Sequence, residues 1–350
     1  MLCDWEYSTA LGIYTKTSPP SEWQPHLPAP NQPPSLEWLL LTSPFSRIRQ
    51  HLDSISSTHP SALSPLAVKL IFKFSLTDVL THLATHQKDI FWTSFASFSL
   101  SPIPHKASII YNKPSILQWW RDSPAILQRD YGPEALNGAS RAGFVDVLEW
   151  WATSGLEMRY TEKALEAASA FGHIKVLEWW RRAHQTRLDR AVTTIPPTAA
   201  AATVNLLPLH VGRSILSAAQ AGRTEVVAWW DGSGLAYPHG ESVARVASTH
   251  GHVEVLELWR SLKGNKMIFD NQVLVGATKG GHVDVLEWWK VKVQGELGVK
   301  VEYKTCDIEE ALEDSLGGSG EEAVREWWER NGLNLGVGPN EWLRVKRLGD

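Results

Sequence analysis

The sequence predicts an all-α chain of stacked helix pairs, a helical-repeat solenoid, and three observations predict it. Seven times between residues 112 and 328 the chain writes a variant of G-H-x-x-V-L-E-W-W. The second Trp of the phrase never varies: Trp120, Trp151, Trp180, Trp230, Trp259, Trp289 and Trp328. The first is present in six of seven copies, with Leu258 in the other, and seven residues before it sits Gly143, Gly172, Gly222, Gly251, Gly281 or Gly320. Asn112 holds that place in the earliest copy, and Asn is the next residue after Gly to tolerate a positive φ. A period near 30 residues with fixed internal spacing marks a stacked array, whose units bury their apolar faces only against neighbours.

One copy justifies its two helices. In YTEKALEAASAFGHIKVLEWW, Thr161 is placed to cap a first helix with Glu162 in its first turn, favourable against the helix dipole. Leu165, Ala168 and Ser169 give that helix a small-residue face, and Gly172 stops it in a left-handed cap. Val176, Leu177, Trp179 and Trp180 then form one broad apolar stripe on a second helix, with Glu178 expected in solvent between them. A Ser154-Gly155 type stop closes the second helix of the preceding copy. Each Trp buries roughly 150–250 Å², at most about 4–6 kcal/mol by area before entropy is subtracted. All thirteen Trp of the phrases are therefore expected in the core; a ligand-stacking role would need them outside the stripe.

The order A-L-x-x-A-S-x-x-G-H-x-x-V-L-E-W-W-x-x-S-G-L resembles the ankyrin repeat. Ala164-Leu165, Ala168-Ser169, Gly172-His173 and Trp179-Trp180 fall on that pattern's Pro-Leu, Ala-Ala, Gly-His and Leu pair, and Gly251-His252 and Gly281-His282 do the same. The turn that opens a standard repeat is missing and the period of 29 to 31 residues falls short of the usual one, which puts the β-turn fingers in doubt. The Trp-rich wording is similar to divergent arrays of fungi and amoebae. The resemblance covers residues 104–335 and implies a non-catalytic scaffold that binds a protein partner through a concave groove and finger edge.

Before the repeats, residues 1–34 read as a disordered leader, with seven of the chain's 20 prolines in residues 16–34. Residues 35–103 turn helical. Leu66, Leu70, Ile71 and Phe74 form one stripe; Thr77 is placed to cap a helix burying Val79, Leu80, Leu83 and Ala84; Ile90, Phe91, Trp92 and Phe95 continue a third. Leu63-x-Pro65, Ile71-Phe72 and Asp78-Val79-Leu80 faintly resemble the F-box, although Ala67 and Val68 stand where an acidic residue is usual. That resemblance implies a ubiquitin-ligase core as a further partner and the repeats as a substrate selector. The plainer reading is a helical cap on the first repeat.

Composition sets bounds. A net charge of −4 with a pI near 6.4 gives no basic field for nucleic acid. Cys3 and Cys306 are the two cysteines, which fits a reducing compartment. No apolar run approaches the roughly 18 residues of a membrane span, and Asp4 and Glu6 do not suit a signal peptide. A soluble intracellular protein of cytoplasm or nucleus is expected. No catalytic motif, cofactor site or metal site emerges. His173, His252 and His282 recur one per copy and are expected to bond backbone at the helix start; His82 and His86 lack a ligand pattern; Gly317-Gly318-Ser319-Gly320 reads as an interhelical turn ahead of Glu321 and Glu322.

The spacing between second Trp residues runs 31, 29, 50, 29, 30 and 39, so two insertions interrupt the array. Both fall after a second helix and before the next first helix, the face where insertions gather in repeat proteins. Residues 190–210 expose Ile195, Leu206 and Leu207, and VKVQGELGVKVEY alternates like a β-hairpin from Val291 to Tyr303, with Asp307 and Glu310 capping the next helix. Ile195, Leu206, Leu207, Lys292, Lys300 and Tyr303 are the candidate partner contacts. Residues 336–350 are expected to cap the C-terminal end.

Overall fold

The computed structural model describes residues 7–8, 13–14, 34–56, 62–95, 102–126, 129–194, 209–295, 300–315, 317–318, 320–334 and 342–348. These residues are mostly helical, and they divide into two compact units, residues 1–160 and 161–350. No helix among them is long and apolar enough to cross a membrane.

In the first unit two short strands, β1 (Tyr7–Ser8) and β2 (Ile13–Tyr14), pair antiparallel, in a stretch read from sequence as disordered. The proline-rich residues 16–33 lie outside the described residues. Helices α1 (Leu36–Thr42), α2 (Phe45–Ser56), α3 (Pro65–Lys73), α4 (Thr77–His86) and α5 (Lys88–Phe95) follow. The caps that operate are serines: Ser35 accepts from the Trp38 N–H at 3.3 Å and Ser64 from the Ala67 N–H at 3.0 Å. Thr77 is already inside α4 and its side chain caps nothing; its carbonyl accepts from Thr81 instead. The α3 stripe is Ala67, Val68, Leu70, Ile71 and Phe72, leaving Leu66 and Phe74 half-buried, and Trp92 is 48% exposed rather than in the core. His82 is buried with Nε2 2.9 Å from an Asp53 oxygen and its ring stacked on His86, a structural pair.

The copies of the phrase become helix pairs. Helix α6 (Pro102–Lys106) runs into a π-helical turn, Ala107–Tyr111, and pairs with α7 (Pro114–Asp122); α8 (Glu134–Ala142) pairs with α9 (Val145–Thr153). In the second unit the pairs are α10 (Lys163–Ala170) with α11 (Ile174–Thr194), α12 (Ser214–Gln220) with α13 (Thr224–Gly232), α14 (Val243–Thr249) with α15 (Val253–Lys263), α16 (Gln272–Lys279) with α17 (Val283–Trp288), and α18 (Thr305–Asp314) with α19 (Glu321–Arg330). First helices α10, α12, α14, α16 and α18 pack successively on one another, and second helices α13, α15, α17 and α19 do likewise. Thr161 is a weak cap, its hydroxyl 3.4 Å from the Lys163 N–H.

Asn112 and all six predicted stop glycines take the left-handed conformation, from φ 49° at Asn112 to 89° at Gly320. At Gly320 a second constraint operates. A Cβ there would stand 2.5 Å from the Gly281 carbonyl oxygen, so this junction needs glycine for close approach as well as for φ.

The second insertion differs from its sequence expectation. Among the described residues from Val291 to Tyr303 no hairpin forms. Residues Trp289–Gly295 coil into a π-helical turn that continues α17, and β3 (Glu302–Lys304) pairs antiparallel with β4 (Val345–Arg347) near the C-terminus. The Leu348 N–H donates to the Val301 carbonyl at 3.0 Å, Gln294 bonds the Leu348 carbonyl, and Leu348 is fully buried. The alternation in the sequence is real, but its apolar members Val293, Val301 and Tyr303 are buried in the last copies. A strand far along the chain won the pairing because it offers Leu348 to the same core. Helix α18 accordingly starts at Thr305, ahead of the Asp307 and Glu310 expected to cap it, and Asp307 accepts from Asn271 at 2.8 Å.

Candidate partner-binding surface

What can bind a partner is what the core does not consume, so the core ladder comes first. All seven second-position Trp are at most 2% exposed. Each buried indole N–H needs an acceptor, since leaving one unmade costs about 1–3 kcal/mol. The preceding copy supplies it: Trp151 donates to Ser108 at 3.2 Å, Trp230 to Ser169, Trp289 to Ser248 and Trp328 to Thr278, each at 2.9 Å. The four hydroxyls are fully buried. The fourth copy has Ala219 in the place of Ser169, and there Trp259 instead lies under the Lys263 ammonium, 4.7 Å from its ring centre.

The first-position Trp serve a different edge. Trp119, Trp150 and Trp229 are half-buried, while Trp179, Trp288 and Trp327 are buried. Trp150 donates to Gln118 at 2.8 Å, Trp229 to Glu178 at 3.3 Å and Trp327 to Glu287 at 2.8 Å. Each acceptor directly precedes the first Trp of the copy before. Glu178 is thus not simply a solvated residue. The Arg181 guanidinium, then the Trp229 indole, bond its carboxyl and hold it below the usual carboxylate range against partial burial.

At two stops the residue that follows also reaches back one copy. His252 Nε2 lies 2.9 Å from the Gln220 carbonyl, and Arg223 Nε donates to the Ala170 carbonyl at 3.1 Å. Both acceptors end a first helix, so His252 caps the neighbouring copy, and its side chain does not cap the start of its own helix. Aromatic residues between pairs complete the seal: Tyr131 packs on Trp151, Phe269 on Trp289 and Tyr303 on Trp328, with ring centres 4.7–4.9 Å apart. The sequence carried this signal, an aromatic ring or His twelve residues before the stop at Tyr131, Tyr160, His210, His239 and Phe269.

Several hollows mark the surface of the second unit. One, of about 430 Å³, lies over first helices α14, α16 and α18 and is lined by Arg245, Thr249, Val275, Lys279, Glu310 and Asp314 among others. The Asp314 carboxylate, 2.7 Å away, holds the Lys279 ammonium above its usual range. Another, of about 330 Å³, runs between the Phe269–Asn271 segment and β3, with Val345 of β4 at its margin. A smaller hollow near Trp259 is bordered by an internal strut, in which Tyr237 donates to Asp231 at 2.5 Å and Lys263 bonds both. Burial opposes the Asp231 charge, but the bonds from Lys263 and Tyr237 prevail and keep its carboxyl below the usual range.

The candidate contacts scatter. Lys300 is exposed and, with Tyr303, borders the groove beside β3, but the Tyr303 ring is 2% exposed and belongs to the core. Lys292 is half-buried in the π-helical turn. Ile195, Leu206 and Leu207 lie outside the described residues; of their insertion, residues up to Thr194 extend α11. Among the described residues no three His, Cys, Asp or Glu side chains group as metal ligands. Cys306 is partly exposed, its thiol pushed up by burial and the adjacent Asp307 carboxylate. Compared with known families and curated proteins, the chain matches no family model and no curated protein.

Proposed function

We propose that the chain is a non-catalytic scaffold, an ankyrin-like helical-repeat solenoid that binds a protein partner across its first helices and the adjoining edge. The support is one recurrent observation. Indole-to-hydroxyl, indole-to-carboxylate and imidazole-to-carbonyl bonds each join a copy to the copy before, which is the nearest-neighbour construction of a solenoid. The polar residues left over from that ladder, Arg245, Lys279 and Glu310 among them, line the hollow on the first helices. A protein partner is cross-linked to the intact chain in extracts, and the same capture is run with Arg245→Glu plus Lys279→Glu, and with Glu254→Lys plus Glu257→Lys on a second helix, two exposed residues outside the ladder. Loss with the first pair alone supports the reading; equal capture by both variants would move the site elsewhere.

On the same reading residues 35–103 cap the first copy. In support, Trp119 donates to Thr81 at 2.8 Å, Phe91 lies 6.1 Å from the Trp119 ring, and Phe72 stacks on Tyr111 at 5.3 Å. The ligase-adaptor alternative has the exposed Trp92 in its favour. Co-purification of a cullin-ligase adaptor subunit with the chain, lost in Trp92→Ala, would replace the cap by the adaptor.

A further inference from the structure

We propose that β3 is an open sheet edge that takes up an extended acidic segment of the partner protein as an added strand. The proposal rests on the protein-binding reading above and deepens it to a site and a ligand chemistry.

The argument begins with the ladder. In an antiparallel pair, residues alternate between those that exchange backbone bonds with the opposite strand and those whose N–H and C=O point away from it. The register sets Glu302 against Arg347 and Tyr303 against Lys346, and the Leu348 N–H donates to the Val301 carbonyl. Val301 and Tyr303 therefore carry the bonds to β4. The backbone groups of Lys300 and Glu302, and the Lys304 N–H, face the other way, and no described residue bonds them. Burial alternates in step, with Val301 and Tyr303 buried and Lys300 and Glu302 exposed. This edge borders the groove whose far wall is Phe269–Asn271.

An open edge of this kind is a template for strand addition, and side chains along it choose the partner. Lys300, Lys304 and Lys346 stand on or beside the sheet with no acidic partner among the described residues; Glu302 is matched by Arg347 at 4.0 Å, and Asp270 is the acidic group across the groove. The local balance is positive on a chain of net charge −4. Opposite charges across a strand pair attract and like charges repel, so Lys300 and Lys304 on the β3 edge reject a second copy of this same edge and favour a strand bearing Asp or Glu. Val345, 52% exposed, and the half-buried Phe269 offer apolar contact to the alternate side chains of such a strand.

The probe is a fluorescein-labelled seven-residue peptide, blocked at both ends, alternating Glu with Val and carrying one Phe. It is titrated against the full chain by anisotropy, beside a version with Lys for Glu and a version N-methylated on alternate amides. Saturable binding of the acidic peptide is expected, with no binding of the lysine version and a loss of about tenfold or more on methylation. Glu302→Pro deletes an outward N–H that β4 does not use, a position where an edge strand accepts proline, so it should weaken binding by about tenfold or more at unchanged helicity. Glu302→Gln should keep binding. If Glu302→Pro fails to fold, Lys300→Glu with Lys304→Glu takes its place and should transfer preference to the lysine peptide.

Absence of saturable binding, equal binding of both charge versions, or indifference to Glu302→Pro would overturn the proposal. Self-association of the chain that Glu302→Pro abolishes, without peptide binding, would assign the edge to a second copy and overturn it equally. Failure of the peptide while Arg245→Glu plus Lys279→Glu still abolishes partner capture would sink this site and leave the scaffold reading standing.

Discussion

Trp229 and Trp230 are neighbours in sequence, packed edge to face at 5.0 Å, yet they hold different boundaries of the molecule. Trp230 is fully buried and its N–H ends on the buried Ser169; Trp229 is half-buried and its N–H ends on the partly exposed Glu178. At Trp327 and Trp328 the acceptors divide in the same way, Glu287 and Thr278, although both rings are buried. One helical step of 100° separates a position with access to water from one without, and the acceptor changes to match. A hydroxyl suits a dry site because it carries no charge to desolvate; a carboxylate suits the rim because water shares the cost. Trp288 marks the limit of the pattern: it follows the copy with Leu258, and its buried indole N–H finds no acceptor among the described residues.

The largest expected effect separates the two positions directly. Trp230→Ala should destabilise by roughly 3–5 kcal/mol as a large-to-small core change, and Trp229→Ala by roughly 1–2 kcal/mol for its smaller loss of buried area. Urea unfolding monitored by helicity measures both. A Trp229→Ala cost equal to that of Trp230→Ala would erase the distinction between core and rim.

Backbone comes next. Gly251→Ala should cost about 2 kcal/mol or more, because φ is 77° and the new Cβ would stand 2.7 Å from His282 Nδ1. Gly172→Ala meets the same φ penalty at 80°, but its nearest neighbour is Arg223 Cδ at 3.6 Å, so about 1 kcal/mol is expected. Gly172→Asn should be milder still, as Asn112 already holds the equivalent place. Equal midpoints for Gly251→Ala and Gly172→Ala would show that the stacked His adds nothing.

Ser169→Ala removes the acceptor of a dry indole and should cost roughly 1–2 kcal/mol, whereas Glu178→Gln, which keeps an acceptor at a wet one, should cost less than about 0.5 kcal/mol. Amide hydrogen exchange should rise on both sides of the 169–230 contact in Ser169→Ala, since the bond joins two copies. A rise confined to residues 163–170 would argue against coupling through that bond.

The smallest effect is in pH. Glu178 has a folded-state pKa below its unfolded value, so it contributes stability above the ordinary Glu range and loses that contribution as pH falls through the folded value. Between about pH 5 and about pH 3 the wild type should lose slightly more stability than Glu178→Gln, with the difference shrinking in high salt because the group is partly exposed. An opposite sign would mean that Arg181 and Trp229 do not hold the carboxylate in solution.

Much of this was legible in the letters. The stops at Gly143, Gly172, Gly222, Gly251, Gly281 and Asn112 were, because a positive φ restricts residue choice wherever it occurs; Gly320 shares the positive φ but opens α19, since α18 already ends at Asp314. Burial of the second Trp was, because helical spacing fixes which side faces inward. Less was legible where the deciding partner lies far along the chain. Thr77 and Ser64 are equally good capping residues on paper, and only the chain path shows that Ser64 precedes a helix start while Thr77 already lies within one. Trp92 carries an apolar ring, but beyond its edge-to-face contact with Phe91 it stays 48% exposed.

The candidate surface divides along the same line. The sequence by itself determined the period, the helix pairs, the stops and the two interruptions, since all of these are consequences of local dihedral preference and of amphipathic spacing within about 30 residues. Only the tertiary structure decided that Ser108, Ser169, Ser248 and Thr278 receive the indoles, that His252 caps a neighbour, and that Val301 and Tyr303 pair with a strand some 45 residues on instead of with Val291 and Val293. An acceptor or a strand partner is chosen by what lies within hydrogen-bonding reach after packing. Alternation specifies that a segment can be a strand, but the strand that joins it is the one that can also bury Leu348.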